Sequence, residues 1–344
     1  MKANYEAWSI KTDDFYALKS ESEKLNFLLK FAVLAPSSHN TQPWAFLVTD
    51  NTINVYREID RSLPVADIND RQLFLSIGCA VENIVIAAEF YGYKCEIEKI
   101  NSDINPDFCV KIKLNYSNHI QKKLDFQIQS LIKRKTNRGK FRNEKISENL
   151  KQDIKGFEKS NVQIHIIDNA TTIEKLGNIA ISSSIDSMIN SNFRKELSHH
   201  LKHNLTGSKY GMPGFTLGVP TLPSFILPKL MRHLNLEKAS QKQNKILFEK
   251  HTPHVVVIAT NSDLRNDWLE AGRIFERIAI VCEKEKISLS PWGAPIEIGI
   301  YYKKIQELLE TGFRPQLFFR MGYSLKDVKH SPRFSSEEVL KKII

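Results

Sequence analysis

The chain has 344 residues, of which 42% are hydrophobic, and a formal net charge of +10. This length allows one large domain or two of ordinary size around a substantial apolar core, and the positive charge is spread over Lys-rich stretches such as 238–250 without interleaved aromatics, which disfavours nucleic-acid binding. No apolar run approaches the roughly 20 residues that cross a bilayer, and residues 1–10 contain no apolar signal segment, so we expect a cytoplasmic protein without a membrane partner.

Four cysteines are present, and none of them forms a CxxC pair. They lie in apolar stretches, as the buried free thiols of a reducing compartment do. We therefore expect neither a disulfide nor a zinc site at Cys79, Cys95, Cys109 and Cys282.

The first helix ends at a polar turn. Ser20 and Glu23 have the spacing of a capping box, and an apolar helical face follows until Pro36 ends it. Apolar segments 44–49 and 53–56, joined by a short polar turn, predict a hairpin.

The polar turn itself reads Pro36-Ser37-Ser38-His39-Asn40-Thr41-Gln42-Pro43-Trp44. Two serines and an asparagine between two packed elements offer hydroxyl and amide groups to a ligand. The same residue types also suit a purely structural loop, so the turn alone leaves both interpretations open.

Hydrophobic periodicity predicts the remaining elements. The helices are expected at 70–91, 119–133, 147–159, from 171 onward, at 236–249, at 263–286 and from the turn 291–293 to about 310. The strands are expected at 94–100, 108–116, 162–168, 254–260 and 315–323.

Residues 206–230 break this pattern with many glycines and prolines. Long loops of this kind are typical of lids or disordered segments. Since the segment also carries large apolar side chains, we predict a lid packed on the protein. These side chains are Tyr210, Met212, Phe215, Phe225 and Ile226.

The chain contains a hidden duplication. Segments 78–89 and 272–283 share Gly, Glu, Ile, Ile and Glu in register, and each precedes a later strand with a similar ending, at 108–116 and 315–323. Helices resemble one another by chance, but the repeated order of helix and later strand predicts two related halves, residues 1–118 and 119–344, with the lid in the second.

The halves differ in their chemistry. The Ser-Ser turn occurs in the first half, whereas a basic element, Arg134-Lys135-Thr136-Asn137-Arg138, occurs in the second. Two guanidinium groups and a hydroxyl at the end of a helix suit a phosphate, although a solvated basic loop has the same pattern. A site that needs both parts must lie between the halves, in one copy.

Several other site classes are disfavoured. The sequence has no GxGxxG, no GxxxxGK[ST] and no nucleophile elbow, which argues against a Rossmann dinucleotide site, a P-loop and a hydrolase. His39, His199 and His200 lack carboxylates or thiols at metal-ligand spacing, so we expect surface or structural histidines and no metal site.

Together these features resemble the nitroreductase-like FMN proteins. The turn 36–44 matches the family's Pro-Ser-Ser-x-Asn-x-Gln-Pro-Trp, residues 134–138 match Arg-Arg-Ser-x-Arg, residues 295–297 match Pro-Ile-Glu, and residues 320–323 match Arg-x-Gly-Tyr. The turn precedes the basic element, as in the fused, two-half Acg-like subgroup. The resemblance implies an α+β nitroreductase-like fold in which two related α+β halves form a pseudo-dimer within one chain.

The resemblance also implies FMN as the cofactor and assigns residues to it. Those implied for the phosphate and ribityl chain are Arg134, Thr136, Arg138 and Arg333 from the second half and Pro36, Ser37, Ser38 and Asn40 from the first. Glu297 and the backbone of Ile298 would lie near the reactive nitrogen of the ring, where family members often have Gly at the second position.

The implied function is an NAD(P)H-dependent FMN oxidoreductase that reduces a small planar acceptor, a nitroaromatic or a quinone. FMN takes up and releases hydride itself, so no catalytic acid or base is expected from the protein. The alternative is an FMN storage or sequestration protein whose lid covers the flavin. Since the two halves supply the interface that relatives obtain by dimerising, we also expect a monomer.

Overall fold

The computed structural model describes residues 3–99, 105–117 and 125–341. Its helices are α1 Glu21–Ala32, α2 Arg71–Phe90, α3 Asp125–Lys133, α4 Glu148–Lys155, α5 Ala170–Ser187, α6 Ser191–His200, α7 Thr221–Ser224, α8 Leu227–His233, α9 Leu236–Lys250, α10 Arg265–Lys284, α11 Ala294–Glu297 and α12 Tyr301–Leu308. Its strands are β1 Trp44–Thr49, β2 Thr52–Arg57, β3 Tyr93–Lys99, β4 Phe108–Tyr116, β5 Val162–Ile167, β6 Leu201–Lys202, β7 Met212–Pro213, β8 His254–Thr260, β9 Ile287–Pro291 and β10 Arg314–Tyr323.

Two four-stranded antiparallel sheets organise the chain. The first has the order β1-β2-β4-β3 and the second β5-β8-β10-β9. Counted within each sheet, both orders are first, second, fourth, third, and a 20-residue helix, α2 or α10, joins the second strand to the third. The predicted boundary at residue 118 and the first residues of the helix predicted at 119–133 lie outside the described residues, so the division into halves stays a prediction.

The central strand β8 shows how the second sheet is buried. Val256 and Ile258 face the large core around α2 and α10, while Val255 and Val257 face a second core beneath α5. Because successive strand residues point to opposite faces, a strand covered on both sides is apolar throughout. All seven residues of β8 are buried accordingly.

Helices α2 and α10 cross at two glycines in a reciprocal way. A Cβ atom on Gly272 would lie 2.0 Å from the Leu75 carbonyl oxygen, and one on Gly78 would lie 2.1 Å from that of Leu269. Leu75 and Leu269 each precede their own glycine by three residues, so each helix presents the same patch to the other, as in a two-fold interface.

Helix α2 has the length and composition to cross a membrane, which the sequence analysis did not anticipate. However, 89% of that apolar stretch is buried inside the protein. Such burial is that of a core helix.

The structure corrects two predicted elements. The segment Ile287–Pro291, which follows the helix predicted at 263–286 and for which we predicted no strand, is the edge strand β9, paired with β10 through Leu289 opposite Met321. The predicted last helix is two helices, α11 and α12, separated at Gly299, whose φ of 52° is left-handed. The predicted capping box of α1 is confirmed, since Ser20 and Glu23 bond to each other's backbone amides.

The lid segment, residues 206–230, packs on the protein as expected, although its contacts differ from those predicted. Met212 and Leu227 are buried in a small apolar cluster with Met188, Leu201 and Met231. Phe225 and Ile226, which we expected to pack inward, are 51% and 56% exposed.

We predict that Gly272→Ala lowers the free energy of unfolding by about 3 kcal/mol, since the added methyl group meets backbone that cannot move without separating α2 from α10. Gly312→Ala is the matched control, because its Cβ would meet nothing within 4 Å. Urea unfolding of both variants tests this. Equal stability of the two variants would contradict the close crossing.

Candidate functional site

The Ser-Ser turn is conformationally strained. His39, Asn40 and Gln42 all have left-handed backbones, with φ of 49°, 56° and 53°. Each such residue costs of order 1 kcal/mol unless surrounding structure over-determines it. Part of that support is local, since the Ser37 hydroxyl accepts a 2.9 Å hydrogen bond from the Gln42 amide.

Asn40 joins the turn to two other segments. Its side-chain amide donates to the carbonyls of Gly211 and Pro332, both at 3.0 Å, and its oxygen accepts a 2.6 Å bond from Arg333. Asn40, which we expected to reach the cofactor, therefore uses its side chain within the protein. It positions Arg333.

Gln42 has a similar role. Its Nε2 donates to the Lys209 carbonyl at 2.9 Å, and its Oε1 accepts from the Phe334 amide at 2.9 Å. The turn thus connects the start of the lid segment to the C-terminal segment.

The basic element is braced by two residues whose roles the motif did not indicate. Asn137 is buried and donates to the Ser324 hydroxyl and the Lys326 carbonyl at 2.9 Å. Arg320 donates to the carbonyls of Arg138 and Gly139 at 3.1 and 3.0 Å. The backbone that carries the predicted site residues is therefore held rigidly, and half-buried Thr136 forms a bridge with Leu289 of β9.

Arg134 and Arg333 converge from distant parts of the second half. Each has a terminal nitrogen 3.4 Å from the Leu34 carbonyl oxygen, two residues before the Ser-Ser turn motif, and each residue is 4% exposed. The Nε atom of Arg333 is buried without a hydrogen-bond partner among the described residues, whereas that of Arg134 lies 3.1 Å from a carboxylate oxygen of Glu276. Burial lowers the pKa of Arg333 to about 9, which leaves the guanidinium charged at neutral pH.

Arg138 carries the third guanidinium group of the predicted phosphate-binding site. It is half-buried, and in the described part of the chain its side chain has no ion-pair partner and no hydrogen bond. Burial lowers its pKa. An unpaired, sheltered cation of this kind favours an anionic ligand.

Glu276 lies against the two converging arginines. It is fully buried on α10, and one carboxylate oxygen is 3.1 Å from Arg134 Nε. Burial raises the pKa of this carboxyl to about 7, against the opposing effect of Arg134 and Arg333. Its counterpart in the repeat, Glu82 on α2, is instead paired with Arg273 at 2.8 Å and with Arg277.

Glu297 and its hydrogen-bonded neighbours form the other end of the candidate site. Its carboxylate pairs with Arg71, whose guanidinium also donates to the Gln316 carbonyl. The next residue, Gln72, accepts a hydrogen bond from the Ser38 hydroxyl. The Ser-Ser turn and the Pro-Ile-Glu segment are therefore linked through the first turn of α2.

Ile298 does not offer the donor that we expected. Its amide donates to the Ala294 carbonyl at 3.0 Å, so this N–H is already used within α11. The side chain of Ile298 is half-buried, and the exposed Gly299 follows it.

The structure thus brings most of the predicted residues together around the Ser-Ser turn. Arg134 and Arg333 meet at the Leu34 carbonyl, just before half-buried Pro36 and Ser37, while Ser38 is linked through Gln72 and Arg71 to Glu297. This arrangement can hold an anionic group at the arginine end and a flat group between the turn and α11.

Sequence reasoning missed Arg71, Gln72 and Glu276. The first two begin an apolar helix and belong to no motif, so no signal marked them. Glu276 was visible as the glutamate shared by both copies of the repeat, on a helix face where a charge is rarely buried without a partner.

Sequence comparison finds relatives in Mycobacterium tuberculosis. The chain is 22% identical to the putative NAD(P)H nitroreductase Rv3131 over 309 residues, covering 88% of this chain and 86% of that protein. It is 20% identical to the uncharacterized protein Rv3127 over 308 residues, covering 86% of each. It is 24% identical to the putative NAD(P)H nitroreductase acg over 113 residues, 33% of this chain and 34% of that protein. No protein-family model matches the chain.

Structural comparison gives the fold. A putative nitroreductase from Anabaena variabilis has a TM-score of 0.50 at 10% identity, covering 91% of each chain. The FMN-dependent nitroreductase NfnB of Mycobacterium smegmatis, solved with NADPH, has a TM-score of 0.42 at 11% identity, covering 65% of this chain and 100% of its own. The fold is nitroreductase-like, and the resemblance to the nitroreductase-like family is confirmed.

We predict that Glu276→Gln flattens the pH dependence of stability. The pKa of Glu276 rises from 4.5 to about 7 on folding, so its contribution is present at pH 4.5 and is lost as the pH rises through 7. Linkage puts that loss at about 3 kcal/mol. Unfolding free energies at pH 4.5 and 8 measure it in both proteins. The surface control Glu6→Gln should keep the wild-type slope, and an unchanged slope in Glu276→Gln would refute the assignment.

Proposed function

We propose that this chain is an NAD(P)H-dependent FMN oxidoreductase that passes electrons to a small planar acceptor, a nitroaromatic or a quinone. One observation carries the proposal: two buried guanidinium groups, from Arg134 and Arg333, meet at the Leu34 carbonyl beside the Ser-Ser turn. The relatives named as nitroreductases support the same assignment.

The residues present fit the phosphate of FMN. The buried Nε atom of Arg333, which has no hydrogen-bond partner among the described residues, and the unpaired Arg138 are donors that a phosphate would satisfy. Together, the residues that would hold the phosphate and the ribityl chain are Arg134, Thr136, Arg138 and Arg333. Glu276 adds a condition, because its carboxylate competes with phosphate for Arg134 unless it is protonated.

The first half would contribute contacts to the flavin ring of the cofactor. Pro36, Ser37 and Ser38 lie half-buried on the strained turn, and Ser38 is fixed by Gln72. Glu297 is fixed by Arg71 and would face the ring edge without free movement. FMN, when bound, supplies the uptake of hydride from NAD(P)H and its release to an acceptor. The protein then binds and orients both partners.

A specific observation favours FMN storage as the second candidate function. The lid segment is fastened to the rest of the protein at several points: Asn4 donates to the carbonyls of Thr206 and Ser208, and Gln42 to that of Lys209. Gly211 donates back to the Asn40 carbonyl at 3.2 Å. A lid fastened in this way could keep nicotinamide from the flavin.

The proposal includes the organisation of the chain. The identical strand orders and the reciprocal Gly78 and Gly272 contacts support two related halves, 1–118 and 119–344, that act as a pseudo-dimer in a monomer. The buried free thiols Cys79, Cys109 and Cys282 support a reducing compartment, and we propose the cytoplasm.

Anaerobic mixing of the purified flavoprotein with NADPH or NADH tests the main function. We expect the absorbance of the oxidised flavin to bleach within seconds with at least one of the two, and to return on adding a nitroaromatic or a quinone. Absence of bleaching after several minutes would reject the reductase and leave storage.

Loss of FMN from site variants tests the location. We predict that Arg138→Ala and Ser38→Ala each lower the FMN bound per chain at least several-fold, although they belong to different halves. Arg142→Ala, an exposed arginine outside the site, is the control and should retain FMN. The absorbance ratio at the flavin and protein bands, with light scattering, should give one FMN per monomer. A loss in one variant alone, or an obligate dimer, would contradict the site between halves.

A further inference from the structure

Three histidines that are unrelated in the sequence pattern meet beside the proposed flavin site. His39 lies on the strained turn, and its ring centroid is 5.8 Å from that of His200 at the end of α6. The ring centroids of His199 and His200 are 5.4 Å apart. We expected separate surface or structural histidines, but in the structure the three form one group.

Tyr210 and Lys202 complete this group, which we call the histidine cluster: His39, His199, His200, Lys202 and Tyr210. The Tyr210 hydroxyl lies 3.0 Å from His199 Nε2 and 3.4 Å from Lys202 Nζ. Lys202 also donates to the His199 carbonyl at 2.9 Å and lies over the Tyr210 ring.

The cluster contains unused hydrogen-bonding atoms. His200 is 8% exposed, and its Nδ1 is buried without a partner among the described residues, as is Nδ1 of His39. An unpartnered buried polar atom is costly, so two of them on rings whose centroids are 5.8 Å apart indicate a ligand.

The charges at the cluster are positive. Arg138 acts on His39, and Lys202 and His199 act on His200, while burial lowers the pKa of His39 to about 3 and that of His200 to about 4. Both imidazoles are therefore neutral near pH 7, and Lys202 supplies the positive charge of the cluster. Glu196, one turn earlier on α6, bonds instead to the amides of Val65 and Ala66.

We infer that the histidine cluster binds the anionic group of an aromatic acceptor, a carboxylate or a phenolate. This inference rests on the proposed oxidoreductase function and names the substrate class of that site. His39 follows Ser38 directly, so an anion held there would belong to a ring lying along the turn. Neutral nitroaromatics and quinones would lack this contact.

The test uses a matched pair of ligands, 4-nitrobenzoate and its neutral methyl ester. Calorimetric titration into the purified flavoprotein, without nicotinamide, should give about tenfold tighter binding of 4-nitrobenzoate, the effect of one charge-assisted hydrogen bond. Lys202→Gln and Tyr210→Phe should remove most of this preference and leave the ester unaffected. Lys229→Gln, an exposed lysine on α8, removes the same charge elsewhere and should change neither ligand.

Several results would overturn the inference. The first is equal binding of 4-nitrobenzoate and its ester, and the second is an equal effect of Lys202→Gln and Lys229→Gln on binding. The third is a loss of NADPH binding in Lys202→Gln while the binding of 4-nitrobenzoate and NADH is unchanged. That third result would assign the cluster to the extra phosphate of NADPH. Because the titration needs no electron transfer, a protein that fails to be reduced by NAD(P)H can still show the acid preference.

Discussion

The crossing of α2 and α10 is the constraint on which the rest of the structure depends. Gly78 and Gly272 allow the two helix backbones to approach until each nearly touches a carbonyl of the other. That distance sets how the two sheets face each other, because each helix covers the sheet that its own strands form. Near this crossing the basic element reaches the polar turn, since Arg134 contacts Glu276 on α10 and donates to the Leu34 carbonyl.

The same crossing gives two equivalent glutamates different partners. Glu82 and Glu276 occupy equivalent positions four residues after the paired glycines. Glu82 is covered by Arg273 and Arg277 of the opposing helix, whose counterparts on α2 are Cys79 and Asn83 and cannot form such pairs. A buried carboxylate must be paired. Glu276 is instead paired with Arg134, whose guanidinium also donates to the Leu34 carbonyl just before the Ser-Ser turn.

The sequence was sufficient for elements with strong local patterns. The capping box, α2 and β4 lie where periodicity placed them, because burial of one face repeats along each element. Strand β9 was missed because five residues between a helix and a proline carry too little pattern. The link from Ser38 to Gln72 and from Arg71 to Glu297 was also missed, since it joins side chains far apart in the chain and no periodicity records such pairs.

Motif residues divide into those that hold the fold and those that remain for a ligand, and a sequence match does not separate them. Asn40 and Gln42 satisfy their side chains with carbonyls and amides of the lid and C-terminal segments, which also supports the left-handed turn on which they lie. Arg138, in the described part of the chain, keeps its charge unpaired. Since a buried donor that is already bonded has little to gain from a ligand, Arg138 and the Nε atom of Arg333 have more to gain from an anion than Asn40 has.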